Sequence, residues 1–392
     1  LTGAASQSKR PNPVPMTILT GFLGAGKTTL LNRLLRDPAL AGAVVLINEF
    51  GEIGLDHLFV EKIDGDMVML ASGCVCCTVR GDLVDALEKL LRDRDNGRIR
   101  AFDRVIIETT GLADPAPVLH TLMSHPYFLM RFRLDGVVTL VDAVNGAATL
   151  RAHPEALKQA AIADRLVLSK TDMLDDDEKR RAFAELTHRL AEINPTARVL
   201  DAIKPIGAAD LLNAGLYDPE TGSLNIRAWL NAEALEREAC GVCGEVHDHD
   251  HAHHDHDHAH HHHGGHDEAI RSFCLTSAEP LSLDACGLFL EMLRSAHGPN
   301  LLRVKGLIAL SDDLERPLVI HGVQHVFHPP VRLSAWPDAD RRTRIVFIVK
   351  DLQATFVNGL YRAFAGQPAV DTPDAAALGA NPLAPRSGGL LG

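Results

Sequence analysis

With 392 residues, 46% of them hydrophobic, the chain can bury two separate cores. A formal charge of -12 argues against a nucleic-acid partner, which would require a basic field, and no run of eighteen uninterrupted apolar residues offers a membrane span. Seven cysteines, three of them crowded at Cys74, Cys76 and Cys77, do not resemble a disulfide framework at this size, so reduced thiols in a cytoplasmic protein are expected.

Residues 1–13 read as a flexible lead-in. Lys9 and Arg10 ahead of the apolar run from Val14 imitate an export signal, but that run is used by the strand and loop ending at Lys27, and no small-residue cleavage site follows cleanly. Residues 14–20 predict a buried strand, 21–27 a tight glycine turn and 28–37 a helix with leucines at 30, 31, 34 and 35. Near-continuous apolar runs recur at 43–50, 66–70, 102–110, 134–143 and 163–170, with helical patterns at 83–93 and 175–193 among them. Strands apolar on both faces and separated by helices predict an α/β fold with a mostly parallel sheet covered by helices over residues 14–225, and the glycine turn between the first strand and helix makes it a P-loop NTPase.

Composition then changes completely. Residues 226–268 form a linker that carries twelve histidines between 247 and 266, interleaved with Asp248, Asp250, Asp255 and Asp257; such a segment cannot bury apolar area. Beyond it, strand patterns at 271–277, 301–311, 317–327 and 342–350 and helical ones at 283–296 and 352–364 predict a smaller α+β domain over 269–364. From 365 to 392 the Pro, Ala and Gly content predicts a flexible tail.

The octapeptide GFLGAGKT, Gly21 to Thr28, fits the phosphate-loop pattern GxxxxGKT between a strand and a helix. Gly21, Gly24, Ala25 and Gly26 supply a path on which backbone N–H groups converge on phosphate oxygens. Lys27 spans the β and γ phosphates, the Thr28 hydroxyl holds Mg2+, and the helix opening at Thr28 and Thr29 aims its positive end at the same site. Glu108, at a strand end, is placed to reach the Mg2+ shell or to orient the attacking water, and Gly111 to sense the γ phosphate. A solvated edge carboxylate is the bland alternative for Glu108. In SKTD, Asp172 can accept two hydrogen bonds from guanine that adenine cannot return, and Lys170 can lie along the base plane, although lysine and aspartate are common after strands on any surface.

Thiolates suit Zn2+, Cu+ and, less commonly, Co2+. Cys74, Cys76 and Cys77 can form a three-sulfur site whose fourth ligand must come from water, a carboxylate or another part of the chain, and an incomplete shell suits transfer, where a closed four-cysteine site would hold zinc for structure. Inert buried thiols and a redox pair compete with that reading. His247, His249, His251, His253, His254, His256, His258 and His260 are mostly neutral at cytosolic pH and fit a collecting arm for a divalent ion; low-complexity drift is the alternative. Cys240 and Cys243 form a CxxC pair just before that arm. His321, His325 and His328 are expected to be surface residues, with a transient metal relay as the other reading.

GFLGAGKTTL, INEFGEIGLD, GCVCC, VIIETTGLADP and SKTD, in that order, resemble the CobW-type GTPases of the G3E family of P-loop metallochaperones. The likeness covers about residues 14 to 360, with a CobW-type C-terminal domain. It implies GTP hydrolysis coupled to delivery of a metal to an apo-metalloprotein client. It also implies that Glu49, Glu52 and Asp56 belong to a switch near the γ phosphate, which makes Lys27, Glu108 and Glu49 the catalytic candidates and Thr28, Glu108 and Glu49 the Mg2+ shell. Gly111 falls in the second nucleotide motif, Ser169, Lys170 and Asp172 in the guanine motif, and the GCVCC cysteines become the metal-binding thiols. Ser169 stands where Asn is commoner, which is expected to weaken loop support more than base choice. Zinc is favoured as the cargo, with cobalt handling for cobalamin synthesis, a metal-regulated GTP-binding regulator and a metal store as alternatives. The smaller domain, with an exposed sheet, is the expected client-reading surface of a monomer or homodimer.

Overall fold

The computed structural model describes residues 13–48, 68–70, 79–212 and 270–367. Glu49, Glu52, Asp56, Cys74, Cys76, Cys77, Cys240, Cys243, the histidine tract, the lead-in before 13, the boundaries drawn at 225 and 268 and the tail beyond 367 lie outside these residues.

Seven parallel strands form the first sheet: β1 (Val14–Gly21), β2 (Ala43–Asn48), β3 (Val68–Leu70), β4 (Arg104–Thr109), β5 (Phe132–Asp142), β6 (Arg165–Ser169) and β7 (Arg198–Asp201). Their order is β3-β2-β4-β1-β5-β6-β7. Among the described residues the helices between them are α1 (Lys27–Leu34), α2 (Val79–Asp95), α3 (Ala116–Ser124), α4 (Pro126–Arg131), α5 (Gly146–Ala152), α6 (Pro154–Ala161) and α7 (Asp177–Ile193), and α8 (Ala208–Leu211) follows β7. Because side chains alternate along a strand, Ile106 joins Leu30, Leu31 and Leu34 of α1 on one face, while Val105 and Ile107 join Leu87, Leu91 and Leu119 of α2 and α3 on the other. The strand order reverses direction about β1, and the crevice above its carboxyl end is where such sheets bind ligands.

The second sheet is antiparallel: β8 (Ile270–Ser277), β9 (Leu301–Leu310), β10 (Asp313–Val323), β11 (Val326–Phe327), β12 (Val331–Arg332) and β13 (Thr343–Lys350). Its order is β11-β10-β9-β13-β8, with β12 also on β10. Helices α9 (Leu283–His297) and α10 (Ala354–Phe364) lay Phe289, Leu293, Val357 and Tyr361 against Val304 and Phe347. On the opposite face, Leu302 and Ile348 share a core with Ala160, Leu186 and Leu190 of the first domain. Every residue of β9 is buried. The expectation of an exposed sheet is therefore corrected, because one face is covered by helices and the other is sealed in part by the first domain.

The single strand expected over 317–327 is a hairpin. Gln324, at φ 52°, turns the chain so that Val323 pairs with Val326 and Gly322 with Phe327. That turn separates the histidines. His325 packs its ring 4.4 Å from that of His120 on α3, and His120 Nε2 lies 3.1 Å from the Val323 carbonyl. His321 departs from the surface reading. Burial, together with the nearby Arg303 guanidinium, holds its imidazole well below the usual range and so neutral.

Candidate functional site

The phosphate loop is built as its sequence requires. Gly21, Gly24 and Gly26 adopt φ of 141°, 72° and 91°, a region that a side chain strongly disfavours, and α1 starts directly after Gly26 with Lys27. Lys27 is buried, and its ammonium donates to the carbonyls of Gly21 at 2.8 Å and Phe22 at 3.3 Å. Thr28 and Thr29 follow in the first turn of α1. Ala25 is buried beneath the loop. Thr28 Oγ1 donates to Glu108 Oε1 at 3.4 Å, so the loop hydroxyl and the strand-end carboxylate, 80 residues apart in the chain, are brought together. Glu108 is only 6% exposed, which makes it an inward-facing group and not a solvated edge residue.

Gly111 lies against the loop itself. A Cβ there would stand 2.6 Å from the Leu23 backbone nitrogen, so the second nucleotide motif touches the first and any larger residue would push them apart.

At the end of β6 the Ser169 hydroxyl donates to the Ala25 carbonyl at 2.7 Å, which ties that strand end to the phosphate loop. Lys170 takes φ 59°, and its ammonium lies 2.6 Å from Asp142 Oδ2. Asp142, at the end of β5, also accepts from the backbone N–H groups of Val144 at 2.8 Å and Asn145 at 3.1 Å. Burial would raise the Asp142 pKa, but Lys170 and these donors hold it below the usual carboxylate range. Asp172 is exposed in the short turn Thr171–Met173, which Thr171 pins to Asp201 at 2.7 Å. A cavity of about 280 Å3 lies beside the loop, lined by Phe22, Leu23, Gly24, Asp142, Gln159 and Lys170.

A hydroxyl and a carboxylate oxygen at the head of a helix are hard donors of the kind Mg2+ takes, so Thr28 and Glu108 fit that ion. Among the described residues no cluster of three or more His, Cys, Asp or Glu side chains could hold a metal. The two described cysteines do not bear on the cargo site: Cys274 is half-buried, and burial pushes the Cys286 thiol up to about 11, which leaves it protonated and inert. Among the same residues no helix is long and apolar enough to cross a membrane.

Two family models match this arrangement. "CobW/HypB/UreG, nucleotide-binding domain" covers residues 15–201, and "Cobalamin synthesis protein cobW C-terminal domain" covers 270–364. Zinc chaperone YjiA of Escherichia coli is 32% identical over 337 residues, spanning 86% of this chain and 94% of its own length. The chain belongs to the CobW family of P-loop GTPases. Zinc chaperone CobW of Pseudomonas aeruginosa is 32% identical over 385 residues, covering 90% of this chain and 92% of the relative. The crystal structure of Zn(II)-bound YjiA GTPase from E. coli superposes with a TM-score of 0.61 at 28% identity, covering 90% of this chain and 99% of that one. As a CobW-family protein the chain is a GTP-hydrolysing metallochaperone.

Sequence reasoning missed Asp142, Asp201 and Gln159 as neighbours of the site. Asp142 did carry a signal, because like Ser169 it closes an apolar strand run at the sheet's carboxyl edge. Gln159 carried none, since a glutamine on a helix ordinarily faces water.

Proposed function

We propose that this CobW-family GTPase uses nucleotide binding and hydrolysis to control uptake and release of Zn2+, which it hands to an apo-metalloprotein client. The observation that carries the reading is the register of β2 on β4: Ile47 pairs with Glu108 and Asn48 with Thr109. The chain therefore enters the segment beginning at Glu49 from a strand clamped to the nucleotide motif, and the cysteine triplet follows in the connection between β3 and α2. That connection supports a coupling between occupancy of the γ-phosphate position and the grip of Cys74, Cys76 and Cys77. That the relatives named above are called zinc chaperones supports zinc over cobalt, as does the soft sulfur set.

In this reading Lys27 leaves its carbonyl partners to meet the β and γ phosphates, Asp172 and Lys170 take the guanine base, and Glu108, with Glu49, orients the attacking water. Thr28 and Glu108 would hold Mg2+, which would supply positive charge to neutralise the phosphates. Loss of the γ-phosphate contacts then relaxes the segment leading to the cysteines, and the ion passes to the client. The histidines from His247 to His266 collect metal ahead of that site. Zinc titration tests the division of labour: Cys76→Ser with Cys77→Ser should abolish one tight site, and deletion of 247–266 should leave it intact. Loss of all tight binding on deleting the tract would favour a metal store instead.

A further inference from the structure

The loop that carries Gly111 is held from α6. Gln159 is 1% exposed, and its Nε2 donates to the carbonyls of Gly111 at 3.1 Å and Ala113 at 3.0 Å. Its neighbour Lys158 pairs with Asp114 of the same loop at 3.1 Å. The Thr139 hydroxyl of β5 fixes the Gln159 backbone, donating to its carbonyl at 2.8 Å. The last turn of α6 therefore grips the segment that lies against the phosphate loop.

The residues that follow at once grip the C-terminal domain. Asn194 closes the helix by donating from Nδ2 to the carbonyls of Ala160, Ala161 and Ala163 at 2.9, 3.1 and 2.9 Å. Asp164 follows at once. Its carboxylate accepts from the Val137 backbone at 2.9 Å, from Arg303 Nη2 at 2.8 and 2.9 Å and from the Lys305 ammonium. Arg303 and Lys305 belong to β9 and are each 2% exposed.

We propose that α6 is the link through which the nucleotide site and the C-terminal domain read one another, with Gln159 as a positioning residue that sets the Gly111 loop. Gln159, in the last turn of α6, and Asp164, just past its end, are five residues apart, and both are clamped by buried polar contacts that are costly to break. A shift of the Gly111 loop on γ-phosphate binding must therefore be taken up by α6 or transmitted to Asp164 and β9. Coupling of this kind is reciprocal, so a change at Asp164 must alter the preference for GTP over GDP. The inference rests on GTP hydrolysis and is independent of which metal is carried.

The test compares affinities for a non-hydrolysable GTP analogue and for GDP in the full chain, in Gln159→Leu, in Asp164→Asn and in the double variant. Each single variant should lower the analogue-to-GDP affinity ratio by about threefold or more, and the double variant by no more than the larger single effect. Gln159→Leu should also lower kcat, with GDP affinity changed less than about twofold, since it acts on the loop that meets the γ phosphate. An unchanged ratio in either single variant, or fold-changes that multiply in the double, would overturn the link. Should Asp164→Asn fail to fold, amide hydrogen exchange decides. Protection of residues 301–305 should differ between analogue and GDP in the unmodified chain and cease to differ in Gln159→Leu; identical protection in both nucleotide states of the unmodified chain would sink the proposal.

Discussion

At the carboxyl ends of the parallel strands, charged groups are held close together yet remain available. Lys170 and Asp142 pair with about a third of the lysine side chain still exposed, Asp172 faces solvent, and Lys27 rests on backbone carbonyls that it can exchange for phosphates. Toward the amino ends the charges are consumed by one another. Arg104 pairs with Asp135, and Arg303 and Lys305 with Asp164, at side-chain exposures of 2–3%. The contrast teaches that one sheet uses charge in two ways, to receive a ligand at one edge and to fix the second domain at the other.

The largest expected effect breaks the second use. Asp164→Ala leaves two buried cations without their carboxylate and should cost about 3–5 kcal/mol of unfolding free energy in a denaturant titration. Asp172→Ala, on the exposed edge, should change stability by less than about 0.5 kcal/mol while relaxing the preference for guanine nucleotides. Equal destabilisation by the two would erase the comparison.

Next is the catalytic use of charge. Glu108→Gln preserves shape and should lower GTP turnover by about 10^2-fold or more, the scale for loss of one positioned electrostatic group, with nucleotide binding retained in a fluorescence assay. Normal turnover would remove Glu108 from that role.

Acid titration sharpens the contrast. Burial would raise the Asp164 pKa, but Arg303 and Lys305 outweigh it and hold the carboxyl well below its usual range. The unfolded chain then binds this proton more readily than the folded one, so the contribution is fully present above about pH 4 and is lost as pH falls toward the lower folded value. Asp164→Asn should flatten stability in that acid range.

The smallest effect is at Ser169. Removing the hydroxyl that supports Ala25 should weaken nucleotide binding by about 1 kcal/mol, roughly fivefold, measurable by isothermal titration of GDP with Ser169→Ala.

The nucleotide edge was legible because each of its motifs is local. GFLGAGKT, ETTG and SKTD each close an apolar strand run, and β1, β4 and β6 bring them to one rim without further information. The domain contact was not legible, because Asp164, Arg303 and Lys305 are distant in sequence and charged residues on strands ordinarily read as solvent-facing. β7 was missed for the opposite reason: Arg198 and Val199 are exposed on an edge strand, so no apolar run marks it. Helices α3 to α6 are short, and α3, α4 and α6 each open with a proline in the first turn. Such segments give too few turns for a clear 3.6-residue period.

The central claim is that nucleotide state sets how tightly the cysteine triplet holds its ion. Titrating Zn2+ against a competing chelator with the full chain empty, loaded with a GTP analogue and loaded with GDP measures this directly. The account predicts dissociation constants that differ by about tenfold or more between the analogue and GDP forms, a difference lost in Cys76→Ser with Cys77→Ser. Equal constants in all three states would contradict it.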